Sequence, residues 1–128
     1  MIKKTITYTD YNGVERKEDF YFNLTKAEVT KMQLGTVGGL SAMLRKIIDT
    51  NDVPTLMNIF EELVLNAYGV KSDDGRRFMK NDEIRAAFAE TEAYSQIYME
   101  LAFDAKAAAE FVNGIIPSDM ANSIPAPN

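Results

Sequence analysis

The sequence predicts an α+β fold that is mostly α-helical, in which an N-terminal β-hairpin is followed by about five helices. Residues from about 3 to 22 have strand-like character, whereas apolar residues recur at helical spacing through about 25–116. The chain has 128 residues, 46% of them hydrophobic, and can bury a core without disulfides or metals. We therefore expect a single globular domain over residues 1–116. Residues 117–128 contain three prolines and no periodic pattern, and are expected to form a flexible tail.

The hairpin prediction depends on two β-type runs joined by a turn signal. Ile6 and Tyr8 alternate with threonines in the first run, and the second run, "VERKEDFYF", ends in three aromatic residues. Asn12-Gly13 lies between the runs and accepts the positive φ angles of a tight hairpin turn. The first half of the second strand is charged, so we expect it to be solvated and its aromatic end to be buried.

A capping box predicts the first helix, and a cluster of glycines predicts its end. Thr25 and Glu28 have the spacing at which each side chain can bond the other residue's amide. The segment "LGTVGG" follows and contains Gly35, Gly38 and Gly39. Because glycine is costly inside a helix, we expect this segment to form a hinge or a tight helix junction before the next helical run, "LSAMLRKIID".

Helix-stop and helix-cap residues divide the remaining chain. A further helix is predicted to end at Gly69, in the left-handed conformation that suits glycine. Asn81 caps the next helix, which either continues through "TEAYSQIYMELAFD" or restarts at Thr91. Asp104 opens an alanine-rich last helix, and Gly114 is its predicted stop.

The composition excludes several classes of function. The chain has no cysteine and no histidine, which removes thiol nucleophiles, Ser-His-Asp triads and the usual zinc sites. Its formal net charge of −5 disfavours a nucleic-acid partner. No stretch approaches the roughly 20 apolar residues of a membrane span. We expect a soluble intracellular protein with no catalytic, metal or cofactor residues and no membrane partner.

The charged stretch "AYGVKSDDGRRFMKND" is the best candidate for a chemical site. It fails as a phosphate loop because its lysine and serine precede the second glycine, and it fails as a calcium loop because the ligand positions do not match. The simpler interpretation is a tight turn at 73–75, with Arg76, Arg77 and Lys80 either solvated or binding a neighbouring acidic subunit. An enzyme using Lys71, Ser72, Asp73 and Asp74 is an alternative.

Aromatic and methionine residues suggest a partner-binding surface, with core packing as the competing explanation. Tyr94 and Tyr98 with Phe88 and Phe103 are candidates for an aromatic face, and Met43, Met57 and Met99 lie near apolar stripes. We predict that six residues contribute to partner binding: Met57, Tyr94, Tyr98, Leu101, Arg76 and Arg77.

The chain resembles a known family over most of its length, from about residue 3 to 116. "FNLTKAEV" after the hairpin, "AYGVKSDDGRRFMKND" in the middle and "FAETEAYSQIYMELAFDAKAAAEFVNGIIP" near the end carry the likeness. They are similar to the tail assembly chaperones of long-tailed, siphovirus-type bacteriophages or prophages of Gram-positive bacteria. The resemblance gives no residue-level contacts.

The resemblance implies a non-enzymatic protein that binds and solubilises the tape measure protein, the long helical apolar rod that sets tail length. It also implies work in the cytoplasm of the infected bacterium and absence from the mature virion. Further implied partners are a frameshift-extended form of the chain, the tail tube protein and other copies of the chain in a homo-oligomer. The alternative is a structural tail-completion or connector protein of the virion.

Overall fold

A computed structural model of the chain describes residues 1–34 and 53–117. The predicted α+β fold is confirmed: an N-terminal hairpin is followed, in this part of the chain, by five helices and two further short strands. The elements are β1 (Ile2–Thr9), β2 (Glu15–Phe22), α1 (Lys26–Leu34), α2 (Val53–Ala67), β3 (Tyr68–Lys71), β4 (Phe78–Met79), α3 (Asp82–Ala89), α4 (Glu92–Phe103) and α5 (Ala105–Ile115). The predicted hinge at Gly35, Gly38 and Gly39, the helix predicted after it and residues 118–128 of the predicted tail lie outside the described residues.

The hairpin forms as its sequence predicts. β1 and β2 pair antiparallel in a continuous register from Ile2 opposite Phe22 to Thr9 opposite Glu15. Gly13 has a φ of 80°, which a residue with a side chain rarely adopts. The charged half of β2 is largely exposed, whereas its last residue, Phe22, is fully buried.

The sheet is larger than the sequence suggested, because the charged stretch contains two strands. The four strands lie in the order β1-β2-β3-β4, all antiparallel. The prediction that Gly69 ends a helix in the left-handed conformation is wrong. The glycines with positive φ in the described residues are Gly13 and Gly75. Gly69 instead pairs with Tyr21 inside the sheet, and a Cβ atom on it would lie 2.7 Å from the ring of Phe78. A close approach of side chain to backbone therefore explains this glycine.

The predicted caps of the last three helices are confirmed. The side chains of Asn81, Thr91 and Asp104 each accept a hydrogen bond from the backbone N–H three residues later. The chain therefore restarts a helix at Thr91 rather than continuing the previous one. Gly114 is not a stop, because α5 runs through it to Ile115. A Cβ atom there would lie 2.5 Å from the Ile2 side chain, so α5 and β1 can approach closely only at a glycine.

The core lies between one face of the sheet and the helices. Its centre is aromatic: Phe22 meets Phe111 edge-on at 5.2 Å, and Tyr68 stacks on Phe88 at 4.0 Å between ring centroids. Around this centre, α2 contributes Phe60, Leu63, Val64 and Ala67, α4 contributes Ala93, Tyr94, Ile97 and Leu101, and α5 contributes Ala108, Phe111 and Val112. No helix in the described ranges has both the length and the apolar character needed to cross a bilayer.

Lys80 fastens the start of α1 to the end of the sheet. The predicted capping box is present, since Thr25 and Glu28 exchange hydrogen bonds. The Lys80 Nζ donates to Glu28 Oε2 at 2.8 Å and to the Asn23 carbonyl oxygen at 2.7 Å. Burial would raise the pKa of the Glu28 carboxyl, but the hydrogen bonds from Lys80 and Thr25 outweigh it and lower that pKa. Lys80 therefore acts within its own chain.

Candidate functional site

The outer side of α4 carries two large apolar side chains that are open to solvent. Met99 is 50% exposed and Phe103 is 73% exposed. Residues four apart in a helix lie one above the other, so these two form a short line along α4. The buried residues of this helix are Ala93, Tyr94, Ile97 and Leu101. We call Met99 and Phe103 the outer apolar pair.

The outer apolar pair was not among the six residues predicted to bind a partner. Both residues belong to the aromatic and methionine residues that suggest a partner-binding surface, but residue type alone does not distinguish the exposed members of these classes from the buried ones. The helical periodicity of α4 provides that distinction once one buried residue is known. At about 100° per residue, Met99 and Phe103 each lie about 160° from Leu101, which is 1% exposed. A helical turn with apolar residues on both its buried and its exposed side is typical of a helix that another element covers or that binds a partner.

Acidic groups flank the outer apolar pair. Glu92 and Glu100 are exposed on α4, and Asp104 directly follows Phe103. Glu100 forms an ion pair with Lys4 of β1 at 2.9 Å. The Asp104 side chain accepts a hydrogen bond from the Ala107 N–H at 3.1 Å and so starts α5. The apolar pair therefore lies on a helix that two polar contacts hold in place at its C-terminal half.

Four of the six predicted partner-binding residues lie on α2 and α4, and they differ in exposure. Tyr94 and Leu101 are 9% and 1% exposed and pack in the core. Met57 and Tyr98 are half-buried, and the structure brings them together because the Tyr98 hydroxyl donates to the Met57 carbonyl oxygen at 3.2 Å. Met57 and Tyr98 are thus the members of this group that solvent can reach. The role of all four in binding stays a prediction.

The other two predicted residues, Arg76 and Arg77, lie in the turn between β3 and β4. The turn is held by Ser72 and Asp74, whose side chains bond each other at 2.7 Å and accept the N–H groups of Arg77 and Arg76. Both arginines are exposed, and within the described residues neither guanidinium forms an ion pair. They are well separated in the chain from the outer apolar pair, and their partner-binding role also stays a prediction.

An enzyme using Lys71, Ser72, Asp73 and Asp74 is the alternative interpretation of this stretch. Hydrogen bonding within the turn accounts for the presence of Ser72 and Asp74. The Ser72 hydroxyl is the main cause that lowers the pKa of the Asp74 carboxyl, followed by the Arg76 N–H. Lys71 lies over the ring of Tyr21, with its Nζ 4.2 Å from the ring centroid. Ser72 and Asp74 therefore act as turn-forming residues, and Lys71 covers the solvent side of the sheet.

A cleft of about 470 Å³ lies elsewhere, between α2 and α3. Its lining is mostly polar: Asn58, Glu61, Glu62, Leu65, Asn66 and Arg85. Burial and then the charge of Glu61 raise the pKa of the nearby Tyr94 to about 12. The residues described contain no cluster of three or more acidic side chains that could hold a metal ion. This cleft offers an acidic surface, and none of the four residues of the enzyme alternative lines it.

The comparisons with known proteins agree with the family resemblance. The family model described as phage tail assembly chaperone matches residues 1–127. Neither a curated protein nor a solved structure matches the chain. The match extends over both the sheet and the helices, and so includes the outer apolar pair as well as the turn with Arg76 and Arg77. The chain therefore belongs to the phage tail assembly chaperone family.

Proposed function

We propose that this chain binds the tape measure protein and keeps it soluble while the tail is built, without catalysing a reaction. The outer apolar pair is the observation that carries the proposal. Phe103 is 73% exposed beside the half-exposed Met99, and covering the two side chains with a partner would remove apolar surface from water, which favours association. Membership of the chaperone family supports a role in tail assembly, and the pair suggests where an apolar client would dock.

The chemistry of the surface suits a helical client. An amphipathic helix lays its own apolar residues against anchors spaced three or four residues apart, which is the spacing of Met99 and Phe103. The methionine side chain is flexible, so it can adapt to different residues along a long rod. Many copies bound along one rod would each contribute a formal charge of −5, and the repulsion between such complexes would oppose aggregation.

The proposal includes the setting implied by the family resemblance. The chain acts in the cytoplasm of a bacterium infected by a siphovirus-type phage of a Gram-positive host, and leaves before the virion matures. Its further partners are a frameshift-extended form of itself, the tail tube protein and other copies of the chain. Half-buried Met57 and Tyr98, and the exposed Arg76 and Arg77, are secondary contact candidates.

Co-expression with the tape measure protein of the same phage tests the proposal. The wild-type chain should keep the tape measure protein in the soluble fraction and co-purify with it. Replacing the pair by Met99→Asp and Phe103→Asp together should abolish both effects. Gln96→Asp is the matched control, because it adds a carboxylate at an exposed position of the same helix without removing apolar surface.

The possible outcomes test the proposed function and the role of the outer apolar pair separately. An insoluble tape measure protein in the presence of the wild-type chain would overturn the proposed function. Equal solubilisation by the wild-type chain and the double variant would remove the outer apolar pair from it. Detection of the chain in purified mature particles would favour the tail-completion or connector alternative. Circular dichroism should show the same helix content for all three proteins.

A further inference from the structure

β1 is an edge strand of unusual regularity. It pairs with β2 on one side, and among residues 1–34 and 53–117 the order β1-β2-β3-β4 leaves its other side without a strand. Its eight residues contain no proline and no glycine, and the register with β2 has no bulge. Prolines and bulges are among the features with which proteins commonly protect an edge, because a regular open edge is a template for another strand.

The hydrogen bonds at the hairpin end show which backbone groups of β1 point outward. The Asp10 N–H donates to the Val14 carbonyl oxygen at 2.9 Å, and this pair continues the register of the hairpin. Bonded and non-bonded pairs alternate along an antiparallel ladder, so the even-numbered residues of β1 bond to β2. The N–H and C=O groups that point away from the sheet therefore belong to Lys3, Thr5, Thr7 and Thr9.

The far side of β2 confirms this alternation independently. The Asn23 N–H donates to the Ala67 carbonyl oxygen at 2.8 Å, in register with the pairing of Tyr21 and Gly69. Odd-numbered residues of β2 thus face β3, and even-numbered residues face β1. The two observations assign the same set of bonded pairs to the hairpin.

The outward groups are free among the described residues. The backbone bonds formed outside the helices and ladders of this part of the chain involve none of the four residues. The side chains give little protection. Lys4 carries a charge toward the helical side of the sheet, but Glu100 neutralises it at 2.9 Å. Lys3 is the remaining charge among the residues of β1, and it lies near one end.

We propose that a second copy of this chain pairs with β1, edge to edge and antiparallel, to form one continuous sheet across a two-fold axis. The register that uses all four outward residues places Thr5 opposite the partner's Thr7, and Lys3 opposite the partner's Thr9. Ile6 then meets the partner's Ile6 on the axis. Four bonded pairs, each exchanging two bonds, give about eight hydrogen bonds between the chains. The proposal rests on the self-association proposed above, but not on tape measure binding.

Charge favours a second copy in this orientation. The start of β1 carries Lys3, and the opposite end of the hairpin carries Glu15, which is exposed and pairs with Thr9. Antiparallel pairing brings Lys3 of each chain toward the partner's Thr9 and Glu15. A parallel arrangement would instead place Lys3 beside the partner's Lys3 and would be destabilised by like charges. Threonine pairs at the centre are favourable cross-strand neighbours.

Thr7→Pro tests the edge with little change to the fold. Proline removes an N–H group that points outward and takes part in no bond to β2, and edge strands tolerate it. Light scattering coupled to size-exclusion chromatography should show a dimer for the wild-type chain and the 14.3 kDa monomer for Thr7→Pro. Thr7→Ala keeps the N–H and should remain dimeric. A monomeric wild-type chain, or a dimeric Thr7→Pro chain, would overturn the proposal.

A cysteine pair tests the register even if the proline variant fails to fold. The chain has no native cysteine, so introduced ones report on single contacts. A Thr5→Cys chain mixed with a Thr7→Cys chain should give a disulfide-linked dimer on oxidation, because opposite residues lie at a Cα separation of about 5.5 Å. Thr5→Cys mixed with Thr9→Cys should cross-link several-fold less. Equal yields from the two mixtures would contradict the register. Solubilisation of the tape measure protein, assayed separately, reports on the other proposal.

Discussion

Replacing Lys80 by methionine removes a charged anchor that joins α1, β2 and β4. The side chain of Lys80 is 11% exposed, and its ammonium group holds the Glu28 carboxylate and the Asn23 carbonyl oxygen. Methionine keeps the apolar stem in place and removes only the charged donor. We expect the free energy of unfolding to fall because both acceptors lose this partner.

The magnitude follows from the exposure of the two acceptors. A hydrogen bond to a charged group contributes about 1.5–3 kcal/mol, and the bond to the half-buried Asn23 carbonyl belongs at the lower end. Glu28 is 36% exposed and can turn to water, so its ion pair adds only about 0.5 kcal/mol. Lys80→Met should thus lower the free energy of unfolding by about 2 kcal/mol and the Tm by roughly 7 °C.

Urea denaturation followed by circular dichroism measures this loss. Lys106→Met is the control, because Lys106 is exposed on α5 without an ion pair in the described residues, and it should stay within about 0.5 kcal/mol of the wild type. In a Glu28→Gln background, which keeps the capping acceptor, Lys80→Met should cost about 0.5 kcal/mol less.

The pH dependence identifies the share due to Glu28. The folded-state pKa of Glu28 lies below its unfolded value of 4.5. The stabilisation is therefore complete above pH 4.5 and is lost as the pH falls through the lower folded-state value. The difference between wild type and Lys80→Met should narrow in that range but not vanish, since the Asn23 bond does not titrate with Glu28. A loss below about 0.5 kcal/mol at neutral pH would refute the reasoning.

Three further predictions concern packing and titration. Gly69→Ala should destabilise by about 1–3 kcal/mol because its Cβ would lie 2.7 Å from the Phe78 ring, and Phe78→Leu should restore part of the loss in urea denaturation. Gly114→Ala should cost a similar 1–3 kcal/mol through contact with the Ile2 side chain at 2.5 Å, and equal thermal stability would contradict this. The pKa of Tyr94 is raised to about 12, so the stability that it contributes should be lost between pH 10 and 12. Tyr94→Phe should flatten the fall in unfolding free energy over that range.

Local signals predicted the helices well because their starts depend on short-range hydrogen bonds. Asn81, Thr91 and Asp104 each cap a helix through an N–H three residues away, and such a contact is encoded within four consecutive residues. The β1–β2 hairpin is likewise local, with its turn at Gly13. The choice between a continuous and a restarted helix at Thr91 required the structure, since both fit the apolar spacing.

The predictions for Gly69 and Gly114 were wrong because contacts with residues beyond their immediate neighbours in the chain determine both glycines. Gly69 faces Phe78, nine positions later in the chain, and Gly114 faces Ile2 at the far end of the chain. Nothing in the residues next to either glycine distinguishes a helix stop from a close approach. The strands β3 and β4 were missed for a related reason. They span four and two residues, too few to show a clear alternation, and form because β2 offers an edge for β3 to pair with.

For the candidate site too, the sequence predicts which residue types are present, whereas the fold determines which of them are exposed. The sequence identified aromatic and methionine residues of α4, but their exposure depends on which side of the helix meets α2 and β1. Leu101 was predicted to meet a partner and lies in the core, whereas Phe103, two residues later, is open to solvent. Helical periodicity relates these positions to each other, and only packing decides which of them faces inward.

The pairing of β2 with β3 places Asn23 beside Ala67, so the segment between these two residues begins and ends at the same point of the sheet. Residues 24–66 leave the sheet beside Asn23 and return beside Ala67, where the Asn23 N–H meets the Ala67 carbonyl oxygen at 2.8 Å. The entropy cost of closing such a loop grows slowly, by about 0.6 kcal/mol for each doubling of its length. The helices α1 and α2 in this segment carry core residues, so the low cost applies to changes of length outside those two helices, which leave the sheet register intact. Length variation in this part of the chain is therefore compatible with the same sheet and the same core.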